Sequence, residues 1–162
     1  IVKRCIEAGL YNNSDDRVKV VFIPTYLYGQ DGLLNMEYYQ AVSGCHLGIF
    51  PSYYEPWGYT PLEAMASGVP AITSDLSGFG DYVLKNVDDY EKKGVEVINR
   101  RYRKYEESAQ QLADALFKFV HSQRYERIKV RNEVERSAEI FDWDNLCHYY
   151  DAAYTLALER TQ

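Results

Sequence analysis

The 162-residue chain carries 18 Lys and Arg against 24 Asp and Glu, for a net charge of −6, and is 46% hydrophobic and 26% charged. That acidic balance argues against a dedicated nucleic-acid binder, and the composition is globular, not disordered. No apolar run nears the roughly 20 residues of a membrane helix, and Cys5, Cys45 and Cys147 are an odd, scattered set, so a metal-free protein of one domain in the reducing cytoplasm is expected.

Residues 1–10 read as a helix closed by Gly9. Residues 18–23 (VKVVFI), 46–50 (HLGIF), 69–73 (VPAIT) and 95–98 (VEVI) read as strands, being short, β-branched and bounded by Gly, Pro or Ser. Helices are expected between them at about 36–43, 60–67 and 79–90. Alternation of this kind predicts an α/β fold with a Rossmann-like parallel sheet and right-handed crossovers. The last third reads as helical: Ala109, Leu112, Ala113, Leu116 and Val120 follow a helical period. So do Trp143, Leu146, Cys147, Tyr150, Tyr154 and Ala157, behind Asp142 as N-cap. The division expected within the single domain is a Rossmann-like part over about 1–100 and helices over about 101–162.

A doubly wound nucleotide-binding domain has about six strands where this chain shows four, so an N-terminally truncated domain is expected. If the intact strand order is 3-2-1-4-5-6, loss of the first two strands parts the strand at 18–23 from the rest. Exposed sheet edges then favour self-association, and a homo-oligomer is expected.

The informative stretch is residues 50–70, FPSYYEPWGYTPLEAMASGVP. Thr60, Pro61 and Glu63 form a helix start signal, with Thr60 as N-cap and Glu63 completing a capping box. Glu63 therefore has a purely structural reading. It also has a chemical one: a helix opening at the carboxyl end of a parallel strand aims N–H groups and the positive end of its dipole at a ligand crevice. Gly58 permits close backbone approach, the amides of Tyr59, Thr60 and Leu62 suit a phosphate, and a first-turn Glu suits a ribose diol. Glu55, eight residues earlier in an aromatic loop, is either idle or held near a reacting centre. His46 reads as a core or site-flanking residue, and Asp75 and Asp81 as candidates for the crevice border.

With its surround, this stretch closely resembles the nucleotide-sugar site of the fungal and animal type of glycogen synthase, a retaining glucosyltransferase of the GT-B fold. The segments SGCHLGIF at 43–50, SGFG at 77–80, Arg131-Asn132 with Glu135-Arg136, and Phe141-Asp142-Trp143 resemble that family in the same order. The resemblance implies the later part of the C-terminal, donor-binding domain of two facing Rossmann-like domains. It implies transfer of glucose from UDP-glucose to the non-reducing end of an α-1,4-glucan with retention, without a cofactor or metal. By motif position, Glu55 matches the Glu at the sugar that stabilises an oxocarbenium-like transition state. Glu63 matches the Glu that binds the ribose hydroxyls, and Gly58, Tyr59 and Thr60 match the backbone that cradles the diphosphate. Tyr38 and Tyr26 match aromatics that sandwich the uracil. The family's upstream domain and cationic phosphate clamp precede the matched region, so the 162 residues alone are expected to be inactive.

Residues 100–136 hold 10 of the basic residues and 6 of the acidic ones, which suits either a small-anion site or solvated helix faces. In the family, an arginine-rich helix at this stretch binds glucose 6-phosphate, and Arg124, Arg127 and Arg131 fall on it, followed by Arg136. Here Tyr125, Glu126 and Glu133 interrupt the cationic run and lower its potential, so weak or absent control by that sugar phosphate is expected. Two other readings stay open: a different GT-B glycosyltransferase or sugar-nucleotide epimerase, and a non-catalytic sugar-phosphate sensor.

Overall fold

Three of the four predicted strands form one parallel sheet, in a computed structural model that describes residues 1–161. The chain divides into two compact units, Ile1–Ala41 and a second that begins at Val42.

In the first unit, α1 (Val2–Glu7) ends as the sequence predicts. Gly9 takes φ 75°, a left-handed conformation that glycine adopts without cost, and the Leu10 N–H donates back to the Cys5 carbonyl at 2.8 Å. The expected strand at 18–23 is not a strand. Its residues have the right propensity, but no ladder pairs with them; instead the Asn12 side chain brackets Val20, donating to its carbonyl at 2.7 Å and accepting from its N–H at 2.8 Å. A side-chain amide thus supplies one residue's worth of the bonding that a neighbouring strand supplies to a whole run. The strand order that was to part 18–23 from the others accordingly has no strand there to part. Further on, Asp31 Oδ1 gathers the amides of Leu33, Leu34 and Asn35, and Tyr28 bridges Glu37. No residue of 1–41 is buried. The helix α2 (Tyr38–Ser43) starts at the end of this unit.

The second unit is built on β1 (Gly48–Ile49), β2 (Ala71–Ser74) and β3 (Val95–Ile98), in the order β1-β2-β3. Gly48 pairs with Ala71, and Ala71 with Val95, so the three strands begin side by side. All four residues of β2 are buried, as a central parallel strand covered on both faces requires. The crossovers carry α3 (Tyr59–Ala66) and α4 (Gly78–Asn86), with a 3-10 turn at Tyr90–Lys93 before β3. Then follow α5 (Tyr105–His121), α6 (Arg124–Ala138), a 3-10 turn at Glu139–Phe141 and α7 (Trp143–Glu159). Met65, Phe79, Val83, Val95, Val134 and Phe141 form the centre of the core.

Local details depart from expectation in several places. The helix expected at about 79–90 ends at Asn86, and residues 87–89 part it from the 3-10 turn at Tyr90–Lys93. His46 is exposed and precedes β1, so it neither starts the strand nor joins the core. The inward face of α5 is rotated from the predicted one: Ser108 is buried and Leu112, Ala115, Leu116 and Phe119 are half-buried, while Val120 is exposed. The apolar face predicted for α7 is real in spacing, yet no residue of α7 is buried, and only Leu146 is half-buried. Asp142 does cap α7 as predicted, accepting the Trp143 N–H at 2.7 Å. A further departure, at the start of α3, lies in the candidate site.

Candidate active site

Helix α3 opens two residues earlier than Thr60 as N-cap would allow. Its N-cap is Gly58, at φ 100° and ψ 81°, a conformation that the missing Cβ permits. Tyr59 and Thr60 therefore lie inside the first turn and Pro61 is its third residue, where a missing N–H costs nothing because first-turn amides have no intrahelical acceptor. The expected capping box does not form: the position it needs for a carboxylate is occupied by Pro61, and Glu63 sits two residues further on, half-buried. The structural reading of Glu63 as a capping-box partner is thereby removed.

The loop between β1 and α3 carries Glu55 and is held by its carbonyls. After Glu55, two bonds reach it from the start of α4: the Gly78 N–H donates to the Glu55 carbonyl at 3.0 Å, and the Phe79 N–H to the Trp57 carbonyl at 2.7 Å. The approach is so close that a Cβ on Gly78 would stand 2.1 Å from the Pro56 carbonyl oxygen, which explains the first glycine of the 77–80 SGFG segment. Ser77 caps α4 through its hydroxyl, which accepts the Gly80 N–H at 3.0 Å. Before Glu55, the Ser74 hydroxyl donates to the Ser52 carbonyl at 2.6 Å, and the Arg100 guanidinium donates to the Pro51 carbonyl.

Trp57 anchors the far end of the loop. Its ring meets Phe79 edge-on at 5.9 Å and Tyr82 at 5.7 Å, and both of those rings meet Phe141. Burial, then the neighbouring Tyr149 hydroxyl, pushes the Tyr82 phenol above its ordinary pKa, so it is a neutral hydrogen-bonding ring at physiological pH. Beside this cluster, Trp57, Tyr59, Leu62, Tyr82, Phe141 and Trp143 help to line a cavity of about 980 Å³. Neither Glu55 nor Glu63 lines it, although Pro56 and Trp57 of the Glu55 loop and Tyr59 and Leu62 of α3 do.

Glu55, Gly58, Tyr59, Thr60 and Glu63 thus converge on one loop–helix junction at the carboxyl end of the parallel sheet. Ligands of open α/β sheets bind at that end, and the α3 amides there present partial positive charge. A family model described as glycogen synthase matches residues 1–162. The chain belongs to the glycogen synthase family. It is 47% identical over 151 residues to the glycogen (starch) synthase of Caenorhabditis elegans, covering 93% of this chain and 22% of that protein. The Dictyostelium discoideum glycogen (starch) synthase is 44% identical over 151 residues, 93% of this chain and 17% of its own length. The human liver glycogen (starch) synthase is 45% identical over 152 residues, 94% of this chain and 22% of its own. The chain therefore spans about a fifth of the length of these glycogen synthases.

The remaining predicted residues of this glycogen synthase family chain fall elsewhere. Tyr26 and Tyr38 lie in the first unit, 91% and 36% exposed. On α6, Arg124 is exposed, but its neighbours are committed to the backbone. Arg127 donates to the Ser122 carbonyl at 2.7 Å, and Arg131 to the carbonyls of Ser43 at 2.6 Å and Cys45 at 3.3 Å. Glu133, one of the interrupting acids, pairs with Arg136 at 3.7 Å. Asp75 borders the sheet's carboxyl edge as a buried acceptor of backbone amides, and Asp81 pairs with Lys85 at 2.6 Å and Arg101 at 3.7 Å. Sequence reasoning missed Ser74 and Arg100, which hold the Glu55 loop. The available signal was positional: the residues that end or just follow neighbouring parallel strands are themselves neighbours.

Proposed function

We propose that the full protein containing this chain transfers glucose from UDP-glucose to the non-reducing end of an α-1,4-glucan with retention, and that this chain supplies the donor-binding part. The observation that carries the reading is the junction at Gly58, where one helix start at the sheet's carboxyl edge is flanked by Glu55 in the loop and Glu63 in the helix. The α3 amides of Tyr59 and Thr60 receive the diphosphate, whose growing negative charge on departure the helix start stabilises. Glu55 stabilises the positive charge that develops on the sugar, and Glu63 accepts hydrogen bonds from the ribose hydroxyls. Tyr38 and Tyr26 stack on the uracil, a role supported by the family resemblance. No metal or cofactor takes part. Arg124, Arg127 and Arg131 form at most a weak anion site, because Arg127 and Arg131 already serve backbone carbonyls. The protein works in the cytoplasm as a homo-oligomer, together with the family's N-terminal GT-B domain. In support, no helix among the described residues is long and apolar enough to cross a membrane.

The deciding experiment measures glucose transfer to glycogen by the full-length protein, from UDP-glucose and from ADP-glucose, with Glu63→Ala beside the wild type. Transfer from UDP-glucose, with a raised donor KM in Glu63→Ala, is the expected result. Transfer from ADP-glucose alone would overturn the uracil sandwich, and no transfer from either donor would overturn the reading.

A further inference from the structure

The carboxylate of Glu55 has no hydrogen bond or ion pair among the described residues, and its side chain is exposed. Its position is therefore set by the loop backbone. On the C-terminal side that backbone is pinned at Glu55 itself, by the Gly78 amide. On the N-terminal side the nearest constraint is Tyr53, and Tyr53 is 68% exposed, so burial does not hold it. What holds it is Arg100, whose guanidinium carbon stands 3.6 Å from the centroid of the Tyr53 ring while Nη1 donates to the Pro51 carbonyl.

Arg100 is itself braced. Asp75, just beyond β2 and 8% exposed, accepts the Arg100 N–H at 2.7 Å and the Arg101 N–H at 3.1 Å, and the Arg101 guanidinium donates back to the Asp75 carbonyl at 3.1 Å. The exit of β3 is thus locked to the exit of β2, and from that locked backbone Arg100 reaches the loop after β1. We propose that Arg100, braced by Asp75, is a positioning residue for the transfer reaction: by clamping Pro51 and Tyr53 it places the Glu55 carboxylate at the sugar. This rests on the reading of Glu55 given above. A planar guanidinium can donate to a carbonyl in its plane and stack on a ring with its face at once, and a lysine ammonium cannot do both.

The test uses the full-length protein, with Glu55→Gln, Arg100→Lys, Tyr53→Leu and Tyr53→Phe. It reads kcat and KM for UDP-glucose, the melting temperature, and amide hydrogen exchange over residues 50–58. Arg100→Lys and Tyr53→Leu are expected to lower kcat by about tenfold or more while donor KM stays within about twofold, because displacement of a reacting group acts on the transition state. Exchange over 50–58 should quicken with no change in melting temperature, and Tyr53→Phe, which keeps the stacking face, should retain wild-type kcat. Normal kcat in Arg100→Lys, or an equal loss in Tyr53→Phe and Tyr53→Leu, overturns the proposal. So does a loss that tracks a fall in melting temperature. If the wild type transfers glucose and Glu55→Gln is far slower, those outcomes bear on Arg100 alone; a wild type that transfers none, or a Glu55→Gln variant as active as the wild type, overturns the underlying reading of Glu55 and the proposal with it.

Discussion

Residues 18–28 and 48–58 begin alike, each with apolar residues running into a proline and then tyrosines, and they end differently. The first run, richer in β-branched residues, forms no strand and is bracketed at Val20 by an asparagine side chain. The second, which opens on a glycine, pairs with β2 and continues into a loop held by Ser74, Arg100, Gly78 and Phe79. Propensity is thus the weaker influence. A parallel strand needs a hydrogen-bonding partner on its flank, and an exposed loop keeps one shape when buried elements reach out to its carbonyls.

The largest consequence concerns local stability. Amides of Ala71–Ser74, in the centre of the sheet, should exchange at least about a thousandfold more slowly than those of 18–23, since ladder amides open only with the fold. Hydrogen exchange followed by mass spectrometry on the 162-residue chain checks this, and equal rates would end the comparison. The anchor beneath the loop comes next. Phe79, fully buried under Trp57 and Phe141, should cost about 3–5 kcal/mol when changed to Ala, read from denaturant unfolding. Glu55→Gln leaves the anchors intact and should lower kcat of the full-length protein by on the order of a hundredfold with little change in stability, the reverse of Phe79→Ala.

The smallest effect lies in β3. Burial, and then the like charge of Glu91, raises the Glu96 carboxyl above its ordinary pKa, while Lys118 of α5 pulls it down. The folded state then holds the proton more tightly than the unfolded one. Stability falls as pH rises from the ordinary glutamate value through the raised one, and stays reduced above it. Glu96→Gln should therefore stabilise the chain at neutral pH by at most about 1 kcal/mol, because solvent screens a half-exposed charge, and the gain should vanish in acid. Melting curves from pH 3.5 to 7.5 test the sign; a variant less stable at neutral pH would mean that the attraction to Lys118 wins.

The α/β class, the order of helices along the chain, the Asp142 cap and the Gly9 stop were all legible, because each depends on residues close in sequence. So was the grouping of Glu55, Gly58 and Glu63, which one loop and one helix turn carry. The start of α3 differs from the expected one by two residues: Thr60-Pro61 is a strong local signal, but Gly58 can take a left-handed conformation that lets the helix begin sooner. The inward faces of α5 and α7 were misjudged for a different reason. Periodicity shows which residues share a face, while the surface that covers that face belongs to other elements.

The sequence alone determined the local grammar of this protein and its family: an α/β chain, a carboxylate-flanked helix start and an interrupted basic stretch. Only the tertiary structure decided which apolar runs became strands and that Arg131 clamps backbone carbonyls. It also decided that Asp75 and Arg100, 25 residues apart, meet at the edge of the sheet and hold the loop of Glu55. Parallel strands bring their carboxyl ends together however far apart they lie in the chain, so contacts there depend on register and packing, which no short window of sequence contains.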